Sequence, residues 1–392
     1  MDSSDIPFSY LEWLVTTKKY IDRLDKSDIG ELELLHHLMA ACYAKMLPTL
    51  PKEQYFEFSK SVKFHQMWAA YDQNIFSLIQ DTQITDEQNV LTLAKNGTPY
   101  IFCTYHIGSY RMLNSILAVN DIEYSLVTDN QYIKEQGDKT KELFKTIKKD
   151  FLQKDSDLDI LDAESPSIGL QAIRKLKNGT SLLFYIDGNT GVNNDNENKD
   201  SFERINFLNT PYYARKGIAY LSFISKVPII PVVSLRKGWL NREIYILPSL
   251  KANDTESREQ FCYSATQKLY DILAEYIKKH PEQWESWIYV YKSIDTEGDS
   301  DISIPCSITD DGIFKLPLVF NKDKYELINF GNQQILFEKI TLKIHAISYQ
   351  FYEVLSSFEN PKIIEDWQFS SFSVSEQAIR ELIERKILIV ST

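Results

Sequence analysis

Cysteine is scarce in this chain of 392 residues. The four cysteines, Cys42, Cys103, Cys262 and Cys306, lie far apart and form no Cys-x-x-Cys pair. This spacing argues against a disulfide framework and a structural zinc site, and it is typical of a protein in a reducing cytosol. The histidines at positions 36, 37 and 65 lack metal-ligand spacing to any partner, so we expect no metal site. We also expect no bound cofactor.

Basic charge and long apolar runs are lacking as well. Lysine and arginine number 43 against 55 acidic residues, which gives a net charge of −12, and no basic tail is evident. A nucleic-acid partner requires a positive surface, so this class is disfavoured. No window approaches about eighteen consecutive apolar residues, and the first five residues lack the features of a signal peptide. We therefore expect a soluble, cytoplasmic protein.

The chain does contain enough apolar residues for a large core, since 43% of its residues are hydrophobic and 13% are aromatic. Its length predicts two or three domains. The pattern divides into a helical N-terminal region (1–90), an α/β layered domain (91–295), a small acidic linker (296–312) and a C-terminal α+β module (313–392). The N-terminal helices are expected to pack as a cap, to line a groove for an acyl chain, or to contact a membrane peripherally.

In the α/β layered domain, strand-like apolar runs alternate with helical segments, as in a mostly parallel sheet. The predicted strands are 100–105, 122–127, 158–161, 181–186, 229–235 and 243–247. The predicted helices are 109–119, 134–151, 165–177, 211–225 and 255–279. The polar stretch 189–204 predicts a solvated, mobile loop over the site.

The C-terminal module has a different pattern of predicted strands and helices. Three short strands are predicted at 325–330, 334–338 and 343–347, and a last strand at 387–390. Helices are predicted at 349–356, 361–366 and 375–386. This order is typical of a small winged-helix-like module.

One histidine stands where chemistry is expected. The strand-like run from Pro99 to Tyr105 ends at His106, and a glycine and a helical segment follow. Ligands in α/β folds gather at the carboxyl ends of strands, so this histidine is well placed. The alternative is a core histidine that bonds to a backbone carbonyl.

Four stretches of the α/β domain, in this order, favour the chemical role: HIGSYR (106–111), FYIDGN (184–189), FLNTP (207–211) through ARKG (214–217) and then VPIIPV (227–232), and HPEQW (280–284). Together they resemble the lysophospholipid acyltransferase superfamily, and within it the late acyltransferases of lipid A biosynthesis. The resemblance covers about residues 90–295. It implies that His106 takes a proton from an acceptor hydroxyl or amine, which then attacks an acyl thioester of coenzyme A or of an acyl carrier protein.

That family carries a carboxylate after a histidine and four variable residues, and here Arg111 stands in its place. A guanidinium cannot accept the imidazole N–H and disfavours imidazolium. One interpretation is that Asp187, at the end of a neighbouring strand, supplies the carboxylate. A second is that His106 acts alone while Arg111 binds an anion, such as a phosphopantetheine phosphate or a substrate carboxylate. A third is that the site binds without turnover.

We therefore expect two catalytic residues, His106 and Asp187. For Asp187 the alternative is a turn cap, and for Arg215 it is an ordinary charge on a helix surface. The side chains expected to contact the substrate are Ser109, Arg111, Asn189 and Arg215.

The C-terminal stretches ELINF (326–330), ILFE (335–338), LKIHAIS (342–348) and LIERKILI (382–389) resemble the PqqD-like peptide-recognition domain. This resemblance implies that the module captures a leader peptide by adding it as a strand to an open sheet edge. A DNA-binding winged helix is the competitor, but the helix predicted at 375–386 is mixed in charge.

Three functions follow as hypotheses. The first is transfer of a fatty acyl group from a thioester to an amine or hydroxyl of a ribosomally made precursor peptide. The second is a non-catalytic partner that binds peptide or lipid. The third is a lysolipid acyltransferase whose C-terminal module is regulatory.

Overall fold

The computed structural model describes residues 8–24, 31–188, 199–296, 314–330, 333–364 and 375–391. The chain divides into two units, each described below by itself. The first contains Met1–Arg23 and Phe56–Ile294, and the second contains Leu24–Tyr55 and Asp295–Thr392. The linker predicted at 296–312 lies outside the described residues, apart from its first position.

The described α-helices are α1 (Phe8–Arg23), α2 (Glu31–Met46), α3 (Tyr55–Asp72), α4 (Phe76–Gln80), α5 (Val90–Lys95), α6 (Met112–Val119), α7 (Asn130–Leu152), α8 (Ile168–Lys177), α9 (Gly217–Ser225), α10 (Arg258–Lys279), α11 (Tyr349–Ser356) and α12 (Glu376–Glu384).

The described strands are β1 (Gln83–Asp86), β2 (Ile101–Thr104), β3 (Tyr124–Thr128), β4 (Asp159–Asp162), β5 (Ser181–Tyr185), β6 (Phe202–Phe207), β7 (Thr210–Arg215), β8 (Ile229–Lys237), β9 (Asn241–Ile246), β10 (Leu318–Phe320), β11 (Tyr325–Phe330), β12 (Gln333–Glu338), β13 (Lys343–Ile347) and β14 (Leu388–Val390).

The first unit is built on a seven-stranded sheet in the order β1-β9-β8-β2-β5-β3-β4. Its pairings are parallel except for β8 with β9, which confirms the mostly parallel sheet. All six strands predicted in this part of the chain are present, with ends within two residues of the prediction. The edge strand β1 was not predicted, because it is short and largely exposed.

The middle of this sheet is its most buried part. Every residue of β2 is buried, as are all residues of β8 except the last. Such continuous apolar strands are typical of a parallel sheet covered on both faces. One cluster of buried side chains joins β2 and β5 to α8, α9 and α10. The central strand β2 is therefore held firmly on both sides, and it leads directly to His106.

The helix predicted at 211–225 is wrong in its first part. Residues Thr210–Arg215 form β7, which pairs with β6 in an antiparallel hairpin, and α9 begins only at Gly217. Buried and less buried residues alternate along β7, as a strand requires. Pro211, which lacks an amide donor, is tolerated in this two-stranded sheet. The loop predicted at 189–204 likewise gives way to β6 at Phe202, and its residues 189–198 lie outside the described residues.

The second unit contains an antiparallel sheet in the order β11-β12-β13 and a β10–β14 pair. These strands enclose a core with α11 and α12, and α2 contacts β11. The strands and helices predicted here are present, with one exception and one addition. Residues 361–364 are not helical, because Lys362 bridges to Leu318, and β10 was not predicted. The identification with a winged helix or a PqqD-like domain stays a prediction.

Within the described ranges, no helix combines the length and apolar character needed to cross a bilayer.

Candidate active site

His106 and Asp187 follow two paired strands. His106 comes two residues after β2, and Asp187 comes two residues after β5. The strands are parallel, with Thr104 opposite Tyr185 in the register. Equal offsets from the ends of neighbouring parallel strands bring two residues to the same edge of the sheet. The local sequence around each residue thus determines where it lies, although 81 positions separate the two.

The two side chains are in direct contact. His106 Nδ1 lies 2.8 Å from Asp187 Oδ1, and the backbone N–H of His106 donates to both carboxylate oxygens at 3.0 and 3.1 Å. The Asp187 side chain is fully buried, whereas 18% of the His106 side chain is exposed. A carboxylate only accepts, so Nδ1–H donates to Asp187, and in the neutral imidazole Nε2 is the unprotonated nitrogen.

A segment beyond α10 completes the surroundings of the carboxylate. Trp284 Nε1 donates to Asp187 Oδ2 at 2.6 Å, and the Ser286 hydroxyl donates to the Asp187 carbonyl at 2.7 Å and lies 3.3 Å from Oδ2. The backbone N–H of Glu285 donates to the His106 carbonyl at 2.8 Å. Trp284 ends the motif HPEQW (280–284), but no role was predicted for Trp284 or Ser286. These contacts orient the carboxylate that faces the imidazole.

The surroundings of His106 favour its protonated form. Burial alone lowers the pKa of this imidazole, but the Asp187 carboxylate, helped by Glu285, outweighs burial and raises the pKa above its ordinary value. A base with a raised pKa holds an abstracted proton more firmly. The pair has the properties that proton transfer to and from a bound group requires.

His106 opens into a cavity of about 620 Å³. Polar side chains surround the histidine, and apolar side chains of α8, α9 and β5 form much of the remaining wall. The apolar members include Leu126, Ile168, Ile173, Phe184, Ile218 and Leu221. A cavity that combines polar side chains with a large apolar wall suits a ligand with a reactive head and a hydrocarbon chain.

Arg111 lies on the wall of the same cavity. Its Nε donates to the Tyr110 hydroxyl at 3.1 Å, and that hydroxyl donates to Glu285 Oε2 at 2.8 Å. Glu285 Oε1 accepts from the Tyr289 hydroxyl at 3.2 Å. Arg111 therefore does not approach the imidazole as an orienting group. It belongs to a neighbouring chain of hydrogen bonds.

The other residues expected to contact substrate fall in different places. Arg215 lines the cavity, but it lies on β7 rather than on a helix, with its guanidinium 5.0 Å from the Phe202 ring. Ser109 is only 2% exposed and is not among the residues that line the cavity. Its predicted contact with substrate gains no support from this geometry. Asn189 lies outside the described residues.

Ser109 belongs instead to a buried cluster around Asp72. The hydroxyls of Ser109 and Tyr10 each donate to the Asp72 carboxylate at 2.6 Å. Arg236 Nε and Arg242 Nη2 donate to the same carboxylate at 3.1 and 3.0 Å. All five side chains are almost fully buried. The cluster joins α1, α3, β8 and β9 to the loop that carries His106.

Gly108 fits this loop tightly against the sheet. Its φ is +63°, and a Cβ at this position would lie 2.2 Å from the Ser234 carbonyl oxygen on β8. Its N–H donates to the Gln283 carbonyl at 3.0 Å. Glycine is required because an L side chain is strained at this φ and has no space here. The loop is therefore packed closely between β8 and the segment 283–286, which donates hydrogen bonds to Asp187.

In the part of the chain that the structure describes, no three His, Cys, Asp or Glu side chains come together as a metal site would require.

Comparison with known proteins relates the α/β unit to one family. No curated protein matches the chain. Among solved structures, the 1-acyl-sn-glycerophosphate (LPA) acyltransferase PlsC from Thermotoga maritima aligns with 69% of this chain and 99% of its own, at 13% identity and a TM-score of 0.31. Residues 68–290 match the family model described as bacterial lipid A biosynthesis acyltransferase. This match spans more than half of the chain and contains His106, Asp187 and Trp284, so the chain belongs to the bacterial lipid A biosynthesis acyltransferase family.

Proposed function

We propose that the protein transfers a fatty acyl group from a thioester to an amine or hydroxyl, with His106 as the base and Asp187 as the residue that orients it. The observation that carries this proposal is the 2.8 Å contact between His106 Nδ1 and Asp187, made at the edge of a cavity with an apolar wall. Acyl-CoA or an acylated carrier protein is the proposed donor.

The reaction balances with one proton shuttled by the imidazole. His106 Nε2 accepts the proton of the acceptor N–H or O–H while the nitrogen or oxygen attacks the thioester carbonyl carbon. A new C–N or C–O bond forms, the C–S bond breaks, and the imidazolium returns its proton to the departing thiolate. Asp187 stabilises the imidazolium and keeps the proton on Nδ1 between turnovers.

The direct test measures product and thiol together. The full chain is incubated with decanoyl-CoA or palmitoyl-CoA and a panel of amine, hydroxyl and peptide acceptors, and free thiol and product mass are followed. We expect acceptor-dependent thiol release in the wild type and a loss of about 10²- to 10⁴-fold in His106→Ala. Full activity of His106→Ala would overturn the assignment of the base, and the absence of any acylated product would favour the non-catalytic alternative.

For the acceptor, we propose a peptide bound by the second unit. Within the described residues, β13 pairs only with β12, and no described strand occupies its other edge. Four of its five residues are exposed. An extended peptide gains affinity by bonding to the main chain of such an edge.

Hydrogen exchange tests the peptide proposal. A synthetic precursor peptide encoded beside this gene is added to the full chain, and exchange of the amides of residues 343–347 is measured. We expect slower exchange in β13 and a peptide that gains the mass of the acyl group. If no such peptide is encoded, or if β13 exchange is unchanged, the peptide acceptor is wrong. Acylation of a lysolipid without peptide would support the lysolipid acyltransferase alternative.

A further inference from the structure

Arg111 presents unused hydrogen-bond donors to the cavity. Its Nε is bonded to the Tyr110 hydroxyl, and this bond orients the guanidinium. Among the residues that the structure describes, neither Nη group of Arg111 has a hydrogen-bond partner or an ion pair. A partly buried guanidinium gains stability from an acceptor at these positions. A ligand in the cavity that carries an anionic group would supply one.

The charge of Arg111 is permanent. Burial alone lowers its pKa, but the neighbouring Tyr110 and Glu285 outweigh burial and raise the pKa above its ordinary value. Glu285 does not lie within 4.0 Å of the guanidinium as an ion-pair partner, and its oxygens accept from Tyr110 and Tyr289. The guanidinium therefore keeps a full positive charge and both of its terminal amino groups for a ligand.

A carboxylate fits this position better than a phosphate. A guanidinium binds either group through two parallel hydrogen bonds, so the charge of the surroundings decides between them. The same cavity is also lined by four carboxylate side chains, which repel a dianion more strongly than a monoanion. These side chains belong to Asp129, Glu135, Glu164 and Glu285.

The anion belongs to the acceptor rather than to the donor. The Tyr110 ring lies 4.8 Å from the His106 ring, and the Arg111 guanidinium lies 5.4 Å from that same Tyr110 ring. His106 and Arg111 therefore both contact the same tyrosine ring on the wall of one cavity. The pantetheine arm of a thioester donor separates its phosphate from the reacting sulfur by many bonds. An anion bound by Arg111, on the other side of this one ring from the base, fits a substrate whose charged group lies near its attacking amine or hydroxyl.

We propose that Arg111 binds a carboxylate of the acceptor, so that the acceptor is an amino acid or hydroxy acid group, either free or within a peptide. This inference rests on the proposed function, since it takes the group next to His106 to be the acceptor. It assigns Arg111 to acceptor recognition.

Product-like ligands test this proposal without turnover. Binding of N-decanoylglycine and its neutral counterpart N-decanoylglycinamide to the full chain is measured by calorimetry at pH 7.5. The two share the acyl chain and differ only in the carboxylate. We expect N-decanoylglycine to bind about tenfold tighter or more in the wild type. Arg111→Met abolishes this difference, and Arg111→Lys retains part of it.

Three further measurements serve as controls. Arg215→Met changes the other arginine of the cavity wall and keeps the difference. His106→Ala is also expected to keep the preference for the carboxylate ligand, because binding needs no acyl transfer. If the protein shows this preference but no acyl transfer, the proposed function fails while the role of Arg111 stands. N-decanoyl-O-phosphoethanolamine tests the phosphate. The proposal is overturned by equal affinities or no binding of both glycine ligands, by a preference that survives in Arg111→Met, or by tighter binding of the phosphate ligand.

Discussion

The indole Nε1 of Trp284 donates a 2.6 Å hydrogen bond to Oδ2 of Asp187, and Oδ1 of this carboxylate lies 2.8 Å from His106 Nδ1. One buried indole thus fixes the carboxylate that orients the proposed base. Trp287 is equally buried, with its ring centroid 4.7 Å from that of Trp284, but its Nε1 donates to the Pro281 carbonyl. The two tryptophans form a matched pair for mutation.

Trp284→Phe is expected to lower kcat/KM about tenfold, because the carboxylate loses a donor and its fixed orientation. Both substitutions, Trp284→Phe and Trp287→Phe, are expected to reduce stability by about 1–3 kcal/mol. Trp287→Phe is expected to change kcat/KM by less than twofold. Urea unfolding and acyl-transfer assays on both variants check this. Equal loss of activity in the two variants would contradict a specific role for the Trp284 hydrogen bond.

Asp187→Asn is expected to lower kcat/KM by about 10²- to 10⁴-fold and to change its pH dependence. The base acts in its neutral form, so activity rises with pH through the pKa of His106. Asp187 holds this pKa above its ordinary value. Without the carboxylate, burial remains and the acid limb moves to lower pH. Profiles of kcat/KM against pH measure the shift.

Asp162→Asn is the control for Asp187→Asn, because Asp162 ends the nearby strand β4 but does not line the cavity. We expect its acid limb to coincide with that of the wild type. An unshifted acid limb in Asp187→Asn would show that the carboxylate does not tune the imidazole.

Asp72→Asn is expected to destabilise the fold by about 3–5 kcal/mol, because two buried guanidiniums lose their counter-charge. Burial raises the pKa of the Asp72 carboxyl, but Arg236 and Arg242 outweigh it and hold the pKa below its usual value of 3.8. The stabilisation is therefore present above about pH 4 and is lost as pH falls through the lowered pKa. Urea unfolding at several pH values measures it.

Asp22→Asn provides the matching control for this cluster. Asp22 pairs with Lys18 on the exposed surface of α1, where both side chains are substantially exposed. Its loss is expected to change stability by less than about 0.5 kcal/mol. A comparable effect of the two substitutions would contradict the buried-charge account of Asp72.

Gly108→Ala is expected to cost about 3 kcal/mol or more and to abolish acyl transfer, because the added Cβ meets the backbone of β8 two residues from His106. Gly97 also has a positive φ, of +90°, but nothing lies within 4 Å of its Cβ position. Gly97→Ala should therefore cost only about 1 kcal/mol of backbone strain and leave activity intact. Equal stabilities would argue against the close approach at Gly108.

Much of the sheet and the position of its central pair were predictable from the sequence, for a physical reason. The strands that precede His106 and Asp187 are short apolar runs bounded by turn residues, and parallel pairing brings their ends together. Trp284 and Ser286 were not assigned roles, because they lie in short turns without helical or strand periodicity.

Other features have no local signal at all. Asp72 meets Arg236 and Arg242 across separations of 164 and 170 residues, so no pattern around any one of them indicates the cluster. The β6–β7 hairpin was missed because aromatic and alanine residues around Pro211 continue into the helical pattern of α9. Only the pairing of two strands within the folded unit distinguishes β7 from a helix start.

The register of β2 with β5 has a consequence for the durability of the site. The proposed base and its carboxylate are aligned by the same main-chain ladder that pairs Thr104 with Tyr185. A slip by one residue would turn every side chain of one strand to the opposite face. The alignment of the two groups is therefore an all-or-none property: it persists while the centre of the sheet is intact, and it ends when that pairing ends.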